Sequence, residues 1–197
     1  MPQKGLEKRG EQSLTESHNR KEIIMKKALI LLALVGSCTL FAQALVKDPC
    51  TSKFYAKGNT PSNWYIQTQK AERANVTYKE LGGNKRIIRI APKKEQILFY
   101  CGSAIKAAKG DVIVLTIKAK GKGPFSIGYL SYAAKGSNNF SFYEPIQLTD
   151  KEQTFTKTIE IKDNAKNGKK TEVIRICVAA KAGADVEITS FNAAMEE

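Results

Sequence analysis

Between Lys109-Gly110 and Gly121-Lys122-Gly123-Pro124 the chain reads Asp111-Val112-Ile113-Val114-Leu115-Thr116-Ile117-Lys118-Ala119. Ile113, Leu115, Ile117 and Ala119 share one parity, while Val114, Thr116 and Lys118 share the other. Successive side chains of a strand point to opposite faces, so this stretch is a ribbon with one apolar and one wet face. A ribbon of this kind is stable only with its apolar face covered, and glycine turns at both ends send the chain back to cover it.

The same punctuation recurs toward the C-terminus. Gly82-Gly83-Asn84 precedes Arg86-Ile87-Ile88-Arg89-Ile90, and Ala91-Pro92-Lys93-Lys94 separates that run from Gln96-Ile97-Leu98-Phe99-Tyr100-Cys101. Phe125–Tyr132 and Phe140–Tyr143 follow further turns, and more strands are expected at 154–162, 172–180 and 185–193. Phe155, Ile159 and Ile161 read inward, as do Ile174, Ile176 and Val178, which leaves Val173, Arg175 and Cys177 outward. The one helix-like stretch here, Ser103–Ala108, is too short to matter. The expectation is an all-β, two-sheet antiparallel jelly-roll β-sandwich. Counted from Arg86, the first, eighth, third and sixth of eight strands would form one sheet. The second, seventh, fourth and fifth would form the other. The fifth would then be an edge strand, where Pro145 is tolerated. An immunoglobulin-like sandwich is the rival arrangement.

The N-terminal region reads differently. Met25-Lys26-Lys27 precedes the apolar run Ala28–Gly36, and Ala42-Gln43-Ala44 offers a small-x-small cleavage site. This is the layout of a secretory signal peptide over 25–44, its helix too short for the about 20 apolar residues that span a bilayer. Val35-Gly36-Ser37-Cys38 is a rival lipoprotein box, with Cys38 lipidated, although Thr39-Leu40-Phe41-Ala42 continues apolar where a tether would be polar. Residues 1–24 are polar and aperiodic and read as a disordered upstream extension from a gene start placed too early, since Lys21-Glu22 can encode a bacterial ribosome-binding sequence. The expected organisation is thus an extension at 1–24, a signal peptide at 25–44 and one β-sandwich domain at 45–197. The expected address is secreted, periplasmic or cell-surface, with no transmembrane anchor after cleavage.

Seven of the 32 Lys and Arg and four of the 19 Asp and Glu precede Leu45, which leaves 25 against 15 and a net charge of +10. That balance favours anionic surroundings; the plainer reading is scattered lysine on solvated faces and turns. The only histidine, His18, also precedes Met25. Without histidine the domain has no Ser-His-Asp or Cys-His chemistry and no histidine metal site. Cys50, Cys101 and Cys177 lack a C-x-x-C pair, so no metal is expected there. In an exported chain three cysteines allow one disulfide and one free thiol. Parity turns Cys101 in and Cys177 out, so Cys50–Cys101 is the expected pair, although the sequence alone does not fix it.

Three segments carry a family resemblance: Lys109–Gly123, Leu148-Thr149-Asp150-Lys151-Glu152-Gln153-Thr154-Phe155, and Val186-Glu187-Ile188-Thr189-Ser190-Phe191. Their order resembles the galactose-binding-like jelly rolls, including carbohydrate-binding modules of the family 4, 9 and 22 type, over about residues 60–193. The resemblance implies a sandwich that binds polysaccharide or glycan on a concave sheet face. Gln153 and Phe155 stand where those modules carry a tryptophan. Thr189-Ser190 replaces the terminal acidic pair that often helps hold structural calcium, so no cofactor is expected and calcium is not supported.

On the sheet that would hold the second, seventh, fourth and fifth strands, the outward set includes Leu98 and Tyr100, then Ser126, Gly128, Leu130 and Tyr132, then Val173, Arg175 and Cys177. Sugar recognition uses flat aromatic faces and a few placed hydrogen-bonding groups. Tyr100, Tyr132, Tyr143, Arg175 and Trp64 are the candidate ligand-binding residues; the structural alternative is that aromatics sit in strands for packing alone. No two of Asp111, Glu144, Asp150, Glu160 and Glu187 form a motif for a paired acid and base, so no catalytic residue and no enzyme is expected. The leading expectation is an exported, non-catalytic module binding glycan, including acidic glycan. The alternatives are an envelope or extracellular structural sandwich that contacts other proteins, and a charge-driven binder of acidic polymers. No specific nucleic-acid partner is expected, because no basic stripe is interleaved with aromatics.

Overall fold

The computed structural model describes residues 44–54, 60–133, 136 and 138–196. The upstream extension, Cys38 and all of the signal peptide but its last residue lie outside the described residues. Eleven strands are described: β1 (Trp64–Gln67), β2 (Val76–Gly82), β3 (Lys85–Ile90), β4 (Ile97–Cys101), β5 (Ile105–Lys106), β6 (Val112–Lys122), β7 (Phe125–Tyr132), β8 (Asn138–Ile146), β9 (Gln153–Glu160), β10 (Val173–Ala180) and β11 (Asp185–Met195). A 3-10 turn, Lys70–Asn75, joins β1 to β2. Among the described residues no helix is long and apolar enough to cross a membrane.

The strands form two antiparallel sheets. One runs β2-β3-β11-β6-β9; the other runs β1-β4-β10-β7-β8, with the short β5 also pairing β10. The eight strands expected from Arg86 onward are β3, β4 and β6–β11, and their order β3-β11-β6-β9 against β4-β10-β7-β8 is the jelly roll rather than the immunoglobulin-like arrangement. β8 is an edge strand, with Pro145 opposite Ser126 of β7. The stretch read as helix-like, 103–108, instead holds β5: the β-branched Ile105 turns into the core, and Ile105 and Lys106 pair with Ile174 and Val173.

The core lies between the two inner faces. Ile113, Leu115, Ile117 and Ala119 of β6 meet Ile174, Ile176 and Val178 of β10 in one buried cluster with Phe99, Phe125, Ile127, Tyr129 and Phe191. β6 pairs with β11 over ten Cα partners interrupted by a bulge between Ile188 and Ser190, which gives that sheet extra local twist.

The chain enters the sandwich beside β11. The Asp48 carboxylate accepts from the Cys50 and Phe191 backbone N–H groups and from the Ser190 hydroxyl. Cys50 then sits against the β2-β3-β11-β6-β9 sheet, its thiol donating to the Ile188 carbonyl at 3.4 Å while its own carbonyl accepts from Arg86 N–H. Arg86 is itself buried; it lies 4.1 Å over the Phe54 ring, donates to the Ser52 carbonyl and pairs with Glu80 at 3.2 Å.

This placement overturns the expected Cys50–Cys101 disulfide: Cys50, Cys101 and Cys177 are all free and buried. Cys50 bonds to one sheet, whereas Cys101 lies on β4 of the opposite sheet, opposite Trp64. Packed sheets stand about 10 Å apart, and a disulfide requires Cα atoms within about 7 Å. Burial pushes the thiols of Cys50 and Cys177 well above their ordinary range, which leaves both protonated and inert.

Candidate binding face

β1, β4, β10, β7 and β8 present an outer face that is apolar at its base. Register aligns Tyr65, Tyr100, Cys177, Gly128 and Tyr143 in one row across the five strands, and Gln67, Leu98, Ala179, Ser126 and Pro145 in the next. On the other side of the tyrosine row, Arg175 lies opposite Leu130, which lies opposite Ser141. Small residues therefore floor the middle of the sheet, and large ones stand around them. Gly128 is obligatory in that floor: a Cβ there would fall 1.9 Å from the Phe142 carbonyl oxygen of β8.

Leu98, Leu130, Cys177 and Ala179 form a second buried cluster, separate from the main core, and Tyr100, Tyr132 and Tyr143 pack against it. Cys177 is outward by parity yet fully buried, because that tyrosine layer covers it. The layer brings together three of the five candidate residues, and Arg175 joins them with its guanidinium carbon 5.0 Å from the centre of the Tyr132 ring. Burial raises the Tyr132 phenol above its ordinary range against the lowering effect of the Arg175 charge. Burial likewise raises Tyr143, against hydrogen bonds from Ser141 and Gln96. Both phenols stay neutral at physiological pH and can donate as well as accept.

Trp64 does not belong to this face. It is 1% exposed, stacks on Phe99 at 4.8 Å, meets Phe191 edge-on at 5.6 Å and donates its indole N–H to the Lys47 carbonyl at 2.9 Å. The expectation that it touches ligand is corrected by parity: Trp64 lies opposite the inward Cys101, so the outward aromatic of β1 is Tyr65. Tyr65 is 45% exposed and stacks on Tyr100 with ring centres 5.6 Å apart and planes 27° apart. Gly102 makes room for it, since a Cβ there would fall 2.4 Å from the Tyr65 ring. The adjacent pair Trp64-Tyr65 signals that one aromatic must face out, but nothing local in the sequence says which.

A groove of ≈ 500 Å³ opens beside Tyr143; Gln67, Gln69, Gln96, Asn138 and Ser141 supply polar groups to its wall, and Leu98, Leu130 and Tyr143 supply apolar surface. Larger hollows, of ≈ 890 and ≈ 940 Å³, lie beside Phe54 and Tyr78, where Tyr65 also lines the wall, and beside the Asp48 segment. Among the described residues no three His, Cys, Asp or Glu side chains gather as a metal site. The Thr189 hydroxyl donates to Glu152 and that of Ser190 to Asp48, so both side chains are engaged in hydrogen bonds.

No family model matches the chain, and no curated protein matches it in sequence. The solved structures it resembles are mostly carbohydrate-binding modules. One is a CBM4 module, 17% identical with a TM-score of 0.44 over 77% of this chain and 96% of that one. Another is the CBM22-1 xylan-binding domain from Paenibacillus barcinonensis Xyn10C, 10% identical with a TM-score of 0.46 over 78% of this chain and 95% of that one. A third is the enzymatically active domain of bacteriophage CBA120 tailspike protein 4, 13% identical with a TM-score of 0.47; the match covers 68% of this chain but only 20% of the tailspike chain. At these identities the likeness is one of fold, and the jelly roll itself is read from the sheet order.

Proposed function

We propose that this protein is an exported, non-catalytic glycan-binding module whose ligand lies across the outer face of β1, β4, β10, β7 and β8. The observation that carries this reading is the gathering of Tyr65, Tyr100, Tyr132, Tyr143 and Arg175 on one sheet face beside a groove walled by amides. A pyranose ring has apolar C–H faces and an equatorial rim of hydroxyls. Aromatic rings take the first, and Gln, Asn and Tyr hydroxyl groups take the second. The face is also largely pre-formed, because the tyrosines rest on a buried layer and lose little freedom on binding.

The binding role, rather than a catalytic one, is supported by the chemistry of the face: no Asp or Glu occupies an outward position on any of its five strands. Glycoside hydrolysis in its common form needs a pair of carboxyl groups flanking the bond. Export rests on the Met25–Ala44 signal pattern. A glycan array probed with the purified protein tests the reading. Binding to defined glycans that is lost in Tyr100→Ala and Arg175→Ala supports it. Silence on the array, with tight capture of an envelope protein, would instead establish the structural reading.

A further inference from the structure

We propose that the glycan bound on this face carries carboxylates, as uronic-acid polymers do, and that Arg175 is the residue that reads them. The inference rests on the glycan-binding reading above and goes further by naming the charge and chemical class of the ligand.

Three strand arginines are described, and two of them already hold a carboxylate. Arg86 pairs with Glu80 at 3.2 Å. Arg89 grips Asp185 in a fork, Nε at 2.7 Å from one oxygen and Nη2 at 2.8 Å from the other. Arg175 has no carboxylate partner among the described residues, and its Nε is buried with no hydrogen-bond acceptor at all. A permanent cation with no counter-ion in its surroundings favours any anion that can reach it. Because Nε is closed off, a ligand carboxylate would meet the two terminal Nη groups end-on, a fork that suits it as well as the Nε–Nη2 edge that Arg89 offers Asp185. Stacking on Tyr132 at 5.0 Å restrains the plane of that fork.

The rest of the face has the same sign. Among the described strand residues the other outward charge is Lys106 of β5, whose Cα partner is Val173, two residues from Arg175. With no carboxylate at an outward strand position among the described residues, an acidic sugar meets Arg175 and Lys106 there, against a background of +10 over residues 45–197. The aromatic row would hold the ring while Arg175 holds its acid group.

Calorimetric titration with oligogalacturonate and with its fully methyl-esterified form separates the acid from the ring, since the esters differ only in the carboxylate. The acid form is expected to bind at least about tenfold more tightly than the ester, the scale of one charge-assisted pair. Arg175→Gln should erase that preference, and Arg175→Lys, which keeps the charge but not the fork, should restore only part of it. Tyr100→Ala should weaken both ligands alike. Far-UV circular dichroism checks that each variant is folded. Equal affinity for acid and ester, or binding only to neutral glycans on the array, overturns this inference and leaves the glycan-binding reading standing. Binding to dextran sulfate as tight as to oligogalacturonate also overturns it, because the attraction is then charge alone. No binding to any glycan removes both.

Discussion

Trp64→Phe separates a core role from a ligand-contacting one, because the indole that sequence reasoning offered as a sugar platform is fully enclosed. Phenylalanine keeps one ring against Phe99 and Phe191 but removes the second ring and the N–H that reaches the Lys47 carbonyl at 2.9 Å. The lost ring corresponds to roughly 40 Å² of apolar burial, or about 1 kcal/mol. The hydrogen bond, with its acceptor left unpaired, adds about 1–2 kcal/mol. The expected cost is therefore about 2–3 kcal/mol, which for a domain of this size lowers Tm by roughly 4–12 °C. Urea unfolding followed by far-UV circular dichroism measures it, since the variant has lost the only tryptophan of the chain. In the wild type that single indole should emit as a buried fluorophore, resist acrylamide quenching and keep its spectrum on addition of glycan. Affinity for glycan should match the wild type in Trp64→Phe. A variant as stable as the wild type but unable to bind, or an emission shift on titration, would refute the assignment of Trp64 to the core.

Tyr65→Ala should leave stability within about 0.5 kcal/mol, as is usual for an exposed side chain, while weakening glycan binding at least severalfold; isothermal titration beside a thermal melt distinguishes the two effects. Thiol titration of the protein from Leu45 onward, unfolded in guanidinium without reductant, should report Cys50, Cys101 and Cys177 all free, and the native protein should react far more slowly. A single reactive thiol after unfolding would mean that a disulfide has formed. Glu72 accepts from the Lys93 and Lys94 backbone N–H groups and from Asn75, and the Lys93 bond leads in holding its carboxyl below its ordinary value of 4.5. A depressed folded-state pKa contributes stability above 4.5 that is lost as pH falls through the folded value, so Glu72→Gln should be less stable than wild type at pH 7, with the gap closing toward pH 3 in paired urea titrations.

Much of this architecture was legible in the chain itself. The period of two along Val112–Lys122 and Val173–Ala180 assigns each side chain to a face, and the inner and outer sets recur in the two buried clusters. Glycine turns delimit the strands, and Pro145 marks β8 as an edge. For the same reason the sequence puts Tyr100, Tyr132, Tyr143 and Arg175 on outward positions: alternation is a local property, and a strand obeys it wherever it lies. β1, of four residues, and β2, whose Lys79–Gly82 half is exposed, carry little apolar alternation to mark them.

Other features depended on which segments meet in space. Trp64 and Tyr65 are both aromatic and adjacent, so a shift of one residue in register exchanges their faces, and only the pairing of Trp64 with Cys101 decides it. Cysteine pairing depends on Cα separation, and Cys50 and Cys101 are assigned to opposite sheets by hydrogen bonds to residues far along the chain. The unmatched state of Arg175 is likewise a tertiary fact. Its charge is written in the sequence, but that Arg86 and Arg89 meet carboxylates while Arg175 meets a tyrosine ring follows from strand order and register. Local alternation determined which way each side chain of the sandwich points; the packing of strands distant in sequence decided what it finds there.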